Sequence, residues 1–412
     1  MILGNTVTGI ATVRALAECG IEVHAFLFRS DDPLQYSRYA VKVPCYHLGD
    51  DPKALLDFLI GYAQKIGSRP VLIPTGDAHA LLLAKHAELL RPHYRLWDLP
   101  YAQLGRIVDK TTLYQAARDA GAPIIPSLSM PTVAEVVEWS NQHPGPYLLK
   151  PSYDGINTCK LRGKNLLLET REQLVSYIGS HGSDSLVIQR MIRGGDGNIF
   201  DCYGLCDRDG KVVSLTSHQR LRQYPPDFGA TCLGEIPAAL PSKDEQFLFS
   251  ATERLLNTVR FHGIFGIEWL RDARTGEFYL IDFNARPFLT IGHLRDCGVN
   301  LPFLAYLDLT GQSLANVDPR PFVKRKRWVY FSKDIETFRE IRSHGTIGLL
   351  GWLVSIARCT SFAYVSFSDP LPGVHSLLSI ARRALKFAFR KSRSNSAATA
   401  ADSGAAARTL PR

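Results

Sequence analysis

The sequence predicts an α/β protein that opens with a Rossmann-like parallel sheet, continues through a mixed α/β region and ends in a basic extension. Three observations carry this prediction: alternating helical and apolar stretches over residues 4–96, an acidic hairpin signal over 263–284, and an uneven distribution of charge along the 412 residues.

The alternation comes first. Helical stretches such as 11–19 and 52–66 are interleaved with short apolar runs such as 21–28 and 70–73, the pattern of βαβ units on a parallel sheet. The opening LGNTVTG (3–9) stands where a dinucleotide-binding turn would, but it lacks the GxGxxG spacing and reads as a tight strand-to-helix turn. Met1 lies almost on that turn, so the first strand looks clipped.

A second segment starts near Ile107, with a helix at 110–120, a Gly-Ala-Pro turn at 121–123 and the strand 147–150 ahead of Pro151. The strand 186–189 leads into a Gly-rich 193–198, then strand-like 199–206 and 212–216, and a helix at 243–260. These divide the chain into domains at 1–105, 106–315 (with a break near 185) and 316–391, followed by a Ser/Ala/Arg tail at 392–412 whose composition predicts disorder. The apolar stretch 347–357 is too short to span a bilayer as a helix.

Charge and cysteine content narrow the function classes. Residues 320–412 hold 17 Lys plus Arg against 5 Asp plus Glu, or +12, whereas 1–319 hold 31 against 34, or −3. The basic character therefore belongs to the C-terminal region and does not argue for a nucleic-acid partner. The eight cysteines contain no CxxC pair, which argues against structural zinc or a redox motif and for reduced, buried thiols. Residues 1–20 lack the basic and apolar regions of a secretory signal, so the expected setting is cytoplasmic.

The acidic hairpin carries the chemistry. Runs 263–270 and 278–284 flank a polar RDARTGE turn, and a register centred on Thr275 puts Glu268 opposite Asp282. Like charges facing one another destabilise a sheet unless a cation offsets them. Asn284 and Arg286 follow Asp282 at two-residue steps and should emerge on its face. Hard oxygen ligands of this kind suit Mg²⁺.

With those residues in view, the chain resembles the ATP-grasp superfamily over about residues 4–311, and within it the predicted carboligases related to carboxylate–amine ligases. The resemblance implies a two-subdomain ATP-grasp fold (106–185 and 186–315) behind the N-terminal sheet. The segment GIFGIEWLRDARTGEFYLIDFNARP looks like the paired metal strands; here Asp282 stands for the usual Glu, and the usual proline is displaced to Pro287. By that likeness Glu268 and Asp282 hold one Mg²⁺, Asp282 and Asn284 a second, with Mn²⁺ as a substitute, and Arg286 lies near the transferred phosphate. Lys110, Lys150 and Lys160 look like phosphate contacts, with 152–159 as the loop that closes over them. Gln189, Arg190, Met191 and Ile192 resemble the adenine hinge, and Asp196 is the candidate ribose carboxylate. Arg220 and Arg222, alternating on one strand, would grip an anionic substrate or the γ-phosphate. Ser37-Arg38-Tyr39 and the PTGD at 74–77 also resemble this group, with Asp77 at the carboxyl end of a strand.

The implied reaction activates a small-molecule carboxylate as an acyl phosphate at the expense of ATP and transfers it to an amine or similar nucleophile. The alternatives are an ATP-binding regulatory or scaffold protein on the same fold and a dinucleotide-dependent dehydrogenase. No histidine cluster suggests a general base, and His79, His218 and His293 read as incidental. The basic amphipathic stretch 377–391 predicts either a helix docked on the protein itself or a peripheral helix on an anionic membrane surface.

Overall fold

The computed structural model describes residues 1–4, 6–153, 165–192, 194–227, 229–343, 345 and 347–382. Lys160, most of the loop 152–159, the amphipathic stretch beyond 382 and the tail 392–412 lie outside the described residues.

Strands β1 (Ile2–Leu3), β2 (His24–Leu27), β3 (Val41–Pro44) and β4 (Ile73–Pro74) form a parallel sheet in the order β3-β2-β1-β4. The connecting helix Pro52–Ile66 begins where Asp51 accepts hydrogen bonds from the backbone of Lys53 and Ala54, and ends at Gly67, held left-handed at φ 69°. The chain order reverses between β1 and β4, so the crevice above their carboxyl ends is a switch point where open α/β sheets bind ligands. The LGNTVTG segment is the expected strand-to-helix turn: the helix Thr6–Ala17 follows at once, and Asp32 accepts from the Thr6 backbone N–H at 3.0 Å.

A second sheet is antiparallel, in the order β5-β8-β6-β7, from β5 (Ser127–Ser129), β6 (Tyr147–Pro151), β7 (Leu166–Leu168) and β8 (Leu186–Arg190). Helices Val133–Gln142 and Arg171–His181 both start with capping boxes, Thr132 with Glu135 and Thr170 with Gln173. Their apolar faces pack with Tyr147, Leu149 and Ile188 in one core.

The largest sheet has seven strands, β13-β12-β9-β10-β11-β14-β15: β9 (Ile199–Cys206), β10 (Val212–Tyr224), β11 (Ala230–Ile236), β12 (Gly263–Arg271), β13 (Phe278–Asn284), β14 (Lys326–Val329) and β15 (Ser361–Phe362). Every residue of β9 is buried, and the helix Ser242–Thr258 packs into the core below it. The C-terminal region is more integrated than the sequence suggested. β14 pairs with β11 and β15 with β14, so the basic extension covers what would be an open sheet edge. Asp369 then accepts from Arg14 Nε at 3.0 Å, Ser37 Oγ at 2.8 Å and the Arg38 backbone at 2.9 Å, tying 363–382 to the N-terminal sheet. His375 stacks on Tyr36, two residues before the amphipathic stretch begins.

Candidate active site

A cleft of about 1130 Å³ runs between the second and third sheets and is closed at one end by the N-terminal sheet. Its wall includes Lys110, Lys150, Gln189, Arg190, Met191 and Ile192, together with Arg220, Glu268, Asp282, Asn284 and Arg286. Thr6, Thr8, Thr75 and Asp77 face it from the switch-point crevice.

Hairpin register decides the acidic part. Glu268 on β12 faces Asp282 on β13, as the sequence predicted, and also Asp201 on β9, so three carboxylates lie in a row across three strands. A bulge slips the pairing by one residue on the turn side of Glu268, leaving the predicted pair in place. Asn284 donates from Nδ2 to Glu268 Oε1 at 3.1 Å, and Asp282 Oδ1 accepts from the Phe283 backbone at 2.9 Å.

Arg220 relieves the repulsion in this row. Its guanidinium donates to Asp201 at 3.1 and 2.6 Å and lies 2.6 Å from Glu268 Oε1. His218 Nδ1 is 2.7 Å from Asp201 Oδ2. Burial works to raise the Asp201 carboxyl, but the Arg220 and His218 charges and hydrogen bonds outweigh it and hold the group below the ordinary range. Glu268 shifts the other way: burial and the charges of Asp201 and Asp282 push it up against the pull of Arg220. Burial lowers the His218 imidazole, opposed by Asp201. Asp201 is the residue sequence reasoning missed, and its signal was an acid inside an otherwise apolar strand, IFDCYGLC. His218 is likewise part of this network, and Gly234, which pairs with Arg220 on the neighbouring strand, leaves room for its ring: a Cβ there would collide with His218 Nε2.

Arg222 does not join Arg220. Register shifts between Arg220 and Gln223 change the phase of β10, so Gln223 and not Arg222 lines the cleft. Arg222 instead makes a buried fork to Asp334 at 2.7 and 3.0 Å and donates to Ser355 at 2.9 Å. Asp196 is also corrected: its oxygens accept from the Gln223 backbone and side chain and the Asp227 backbone, at 3.0 to 3.1 Å, which fastens the turn at 223–227. The carboxylates on the cleft wall besides Glu268 and Asp282 are Asp77, Glu169, Asp201 and Asp227.

Lys110, Lys150 and Gln189 to Ile192, read in the sequence as nucleotide contacts, all line the cleft. Lys110 is buried at the first turn of the helix Lys110–Asp119, with Asp109 as its cap, and its backbone N–H donates to Ser152 at 2.7 Å. Lys150 projects from β6 two residues beyond Leu148, and both line the cleft. At the hinge, the backbone N–H groups of Arg190 and Met191 are taken by Pro126 and Pro146. The Gln189 side chain is 1% exposed, and neither of its amide atoms has a hydrogen-bond partner among the described residues, a polar cost that a ligand in the cleft would offset. Arg286 makes a two-point contact with Asp77, Nε–Oδ1 and Nη2–Oδ2 both 2.8 Å, joining the N-terminal sheet to the acidic hairpin.

The residues fit Mg²⁺. Among the described residues no group of three or more His, Cys, Asp or Glu side chains forms a metal cage. Two opposed carboxylates and an amide, all oxygen donors, match an ion that completes its shell with substrate phosphates and water.

No family model matches the chain. It is similar to a D-aspartate ligase of Enterococcus faecium, 23% identical over 275 residues, covering 61% of this chain and 64% of that protein. It is also similar to the carbamoyl phosphate synthase large chain of Thermomicrobium roseum, 21% identical over 52% of this chain and 19% of that one. The chain thus spans less than two thirds of these curated relatives. Among solved structures, an ADP complex of N5-carboxyaminoimidazole ribonucleotide synthetase aligns with a TM-score of 0.64 at 14% identity, over 83% of this chain and 84% of that one. The biotin carboxylase of Campylobacter jejuni aligns at 0.63 and 14%, over 79% and 74%. An L-amino acid ligase of Bacillus licheniformis aligns at 0.60 and 16%, over 79% and 78%.

Proposed function

We propose that this chain, which has the ATP-grasp fold, is an ATP-dependent ligase that joins a small-molecule carboxylate to an amine. One observation carries the reading: Lys110, Lys150, Glu268, Asp282, Asn284 and Arg286, distant in sequence, converge on a single cleft. The similarity to a D-aspartate ligase and an L-amino acid ligase supports it.

In this reading the adenine lies against 189–192, where the N–H groups of Arg190 and Met191 are already engaged, so the base meets hinge carbonyls and the backbone of Ile192. Lys110 and Lys150 bind the phosphates. Glu268 and Asp282 would hold one Mg²⁺, and Asp282 with Asn284 a second, where the ions would neutralise phosphate charge. A carboxylate oxygen of the substrate attacks the γ-phosphorus in line; the new O–P bond forms as the bond to the β–γ bridging oxygen breaks, and ADP leaves. Arg220 and Arg286 offset charge on the transferring oxygens. The amine nitrogen then attacks the acyl carbon, phosphate departs and the nitrogen gives up a proton. Between the two steps the cleft must exclude water, because an acyl phosphate hydrolyses.

The test is Mg²⁺-dependent ADP release across small carboxylates, with hydroxylamine trapping any acyl phosphate as a hydroxamate. ATP binding without turnover of any carboxylate would favour the regulatory reading, and binding of NAD in place of ATP the dehydrogenase.

No helix among the described residues is long and apolar enough to cross a membrane. Exposed Leu371, Val374, Leu377 and Leu378, in the helix that ends the described chain beside Arg382, support peripheral contact with an anionic membrane surface. Salt-sensitive co-sedimentation with anionic liposomes, lost on truncation at Pro372, is the expected result.

A further inference from the structure

Exposed apolar side chains are concentrated in one part of the chain. Among the described residues, eleven of the twenty large hydrophobic side chains that face solvent lie within 349–378, more than scattered exposure accounts for. The helix Leu349–Ala357 is the clearest case. Leu349, Leu350, Leu353 and Val354 are 43% to 75% exposed, and no residue of this helix carries a charge. Its inner face explains the orientation. Trp352 stacks on Phe338 with ring centroids 4.7 Å apart and donates from Nε1 to Asp334 at 2.7 Å, while Ser355 Oγ accepts from Arg222 at 2.9 Å. The polar contacts point inward and fix the rotation of the helix, which leaves the leucines outside. A surface helix that meets only water has the opposite arrangement.

Charge decides what covers this face. Over 341–382 the only acid is Asp369, which is 1% exposed and engaged by Arg14 and Ser37. Exposed Arg342 and Arg358 flank the helix in sequence, and Arg358 is its C-cap. The Thr360 N–H donates to the Arg327 carbonyl at 3.0 Å, which brings the basic run 324–327 up to that same end. There one carboxylate, Glu235, pairs with both Arg325 and Arg327. A second copy docked on this face would gather the arginines of both chains with no exposed acid of 341–382 to balance them. An anionic lipid surface meets the leucines and the arginines together. A helix of nine residues is too short to span a bilayer, so the contact is interfacial. The helix that ends the described chain is a neighbour: Phe331 stacks on Trp352 at 6.3 Å and lines a small cavity with Leu377 and Ile380.

We infer that the outer face of Leu349–Ala357 is a lipid-docking surface, which places its leucines at the boundary of headgroups and acyl chains in an anionic membrane, with Arg358 and the run 324–327 at the headgroups. This is independent of the ligase reading and adds a second element to the contact proposed for the terminal helix. Apolar insertion and basic attraction are then supplied by different parts of the C-terminal region, the two signals that stable peripheral binding needs.

The experiment uses the full chain with mixed phosphatidylglycerol and phosphatidylcholine vesicles, and with phosphatidylcholine alone, over a range of salt. Leu350→Ser combined with Leu353→Ser should lower the partition coefficient onto the anionic vesicles about tenfold or more at every salt concentration, because apolar contact is not screened. Arg358→Gln should lower it about fivefold at low salt and little at high salt. Leu350→Trp adds a probe at the most exposed position of the helix. Relative to the parent, its emission should shift to the blue on adding vesicles and be quenched by lipids brominated on their acyl chains. Absence of that shift, or unchanged partition of a double-leucine variant that keeps the parent's unfolding midpoint, overturns the inference. So does a concentration-dependent dimer that the leucine substitutions abolish. Tighter vesicle binding after truncation at Pro372 would mean that later residues cover this face, and overturns it as well. Binding lost on truncation but untouched by the leucine substitutions leaves the terminal-helix contact standing without this one, and the reverse result leaves this one standing alone. None of these readouts depends on ATP turnover.

Discussion

Arg220 and Arg222 are two residues apart on one strand, and the structure gives them opposite work. Arg220 lines the cleft, shared between Asp201 and Glu268. Arg222 is locked into Asp334, which also accepts from Trp352 Nε1 at 2.7 Å, and so fastens the helices Phe331–Ser343 and Leu349–Ala357 to β10. The first environment keeps charges facing a ligand; the second uses the same side chain as a buried fastener. Residue type and spacing do not separate these roles, but a register shift does.

The comparison can be broken or sharpened by mutation. The largest effect is expected for Asp282→Asn, which removes the charge of a proposed metal ligand with little change in volume. ADP release should fall on the order of 10⁴-fold, about 5 kcal/mol, with an unchanged unfolding midpoint. Substantial Mg²⁺-dependent turnover by the folded variant would break the metal assignment. Asp334→Ala should do the reverse, lowering stability by about 3–5 kcal/mol because Arg222 is left buried and unpaired. ADP release by its folded fraction should stay within about threefold of the parent, and a selective loss of turnover would place Arg222 on the cleft side after all. Lys150→Ala should slow turnover roughly 100-fold and weaken ATP binding, since a point charge at the phosphates is lost, and steady-state kinetics at varied ATP would show it.

The smallest effect concerns pH and the fastening side of Arg220. The Asp201 carboxyl is held below its ordinary value of 3.8, so its contribution to stability is present above that value and disappears as pH falls through the lowered one. Asp201→Asn should therefore be less stable than the parent at pH 7, with the gap narrowing below about pH 4 in urea unfolding. A gap that widens in acid would mean that Asp201 is not the ionised partner of Arg220.

Much of the site is local and was legible. The Glu268–Asp282 pairing follows from a short turn between two apolar strands, and the bulge disturbs only the turn side. Lys110 and Lys150 were readable because each follows a local signal, an Asp N-cap and a strand end. The local role of Asp196 was not legible, because a short acidic side chain near a turn can fasten that turn, and here it holds Gln223 and Asp227.

By itself the sequence determined the alternation of elements, the hairpin and the order of the cleft-facing motifs, all of which depend on side-chain period and on residues a few positions apart. Only the tertiary structure decided that Asp201, hydrogen-bonded to His218, pairs with Arg220, that Asp334 claims Arg222, and that Asp77 reaches Arg286 across 209 positions of chain. Charged groups choose partners by distance and burial. Until the sheets are packed, any of these acids could have met any of these arginines.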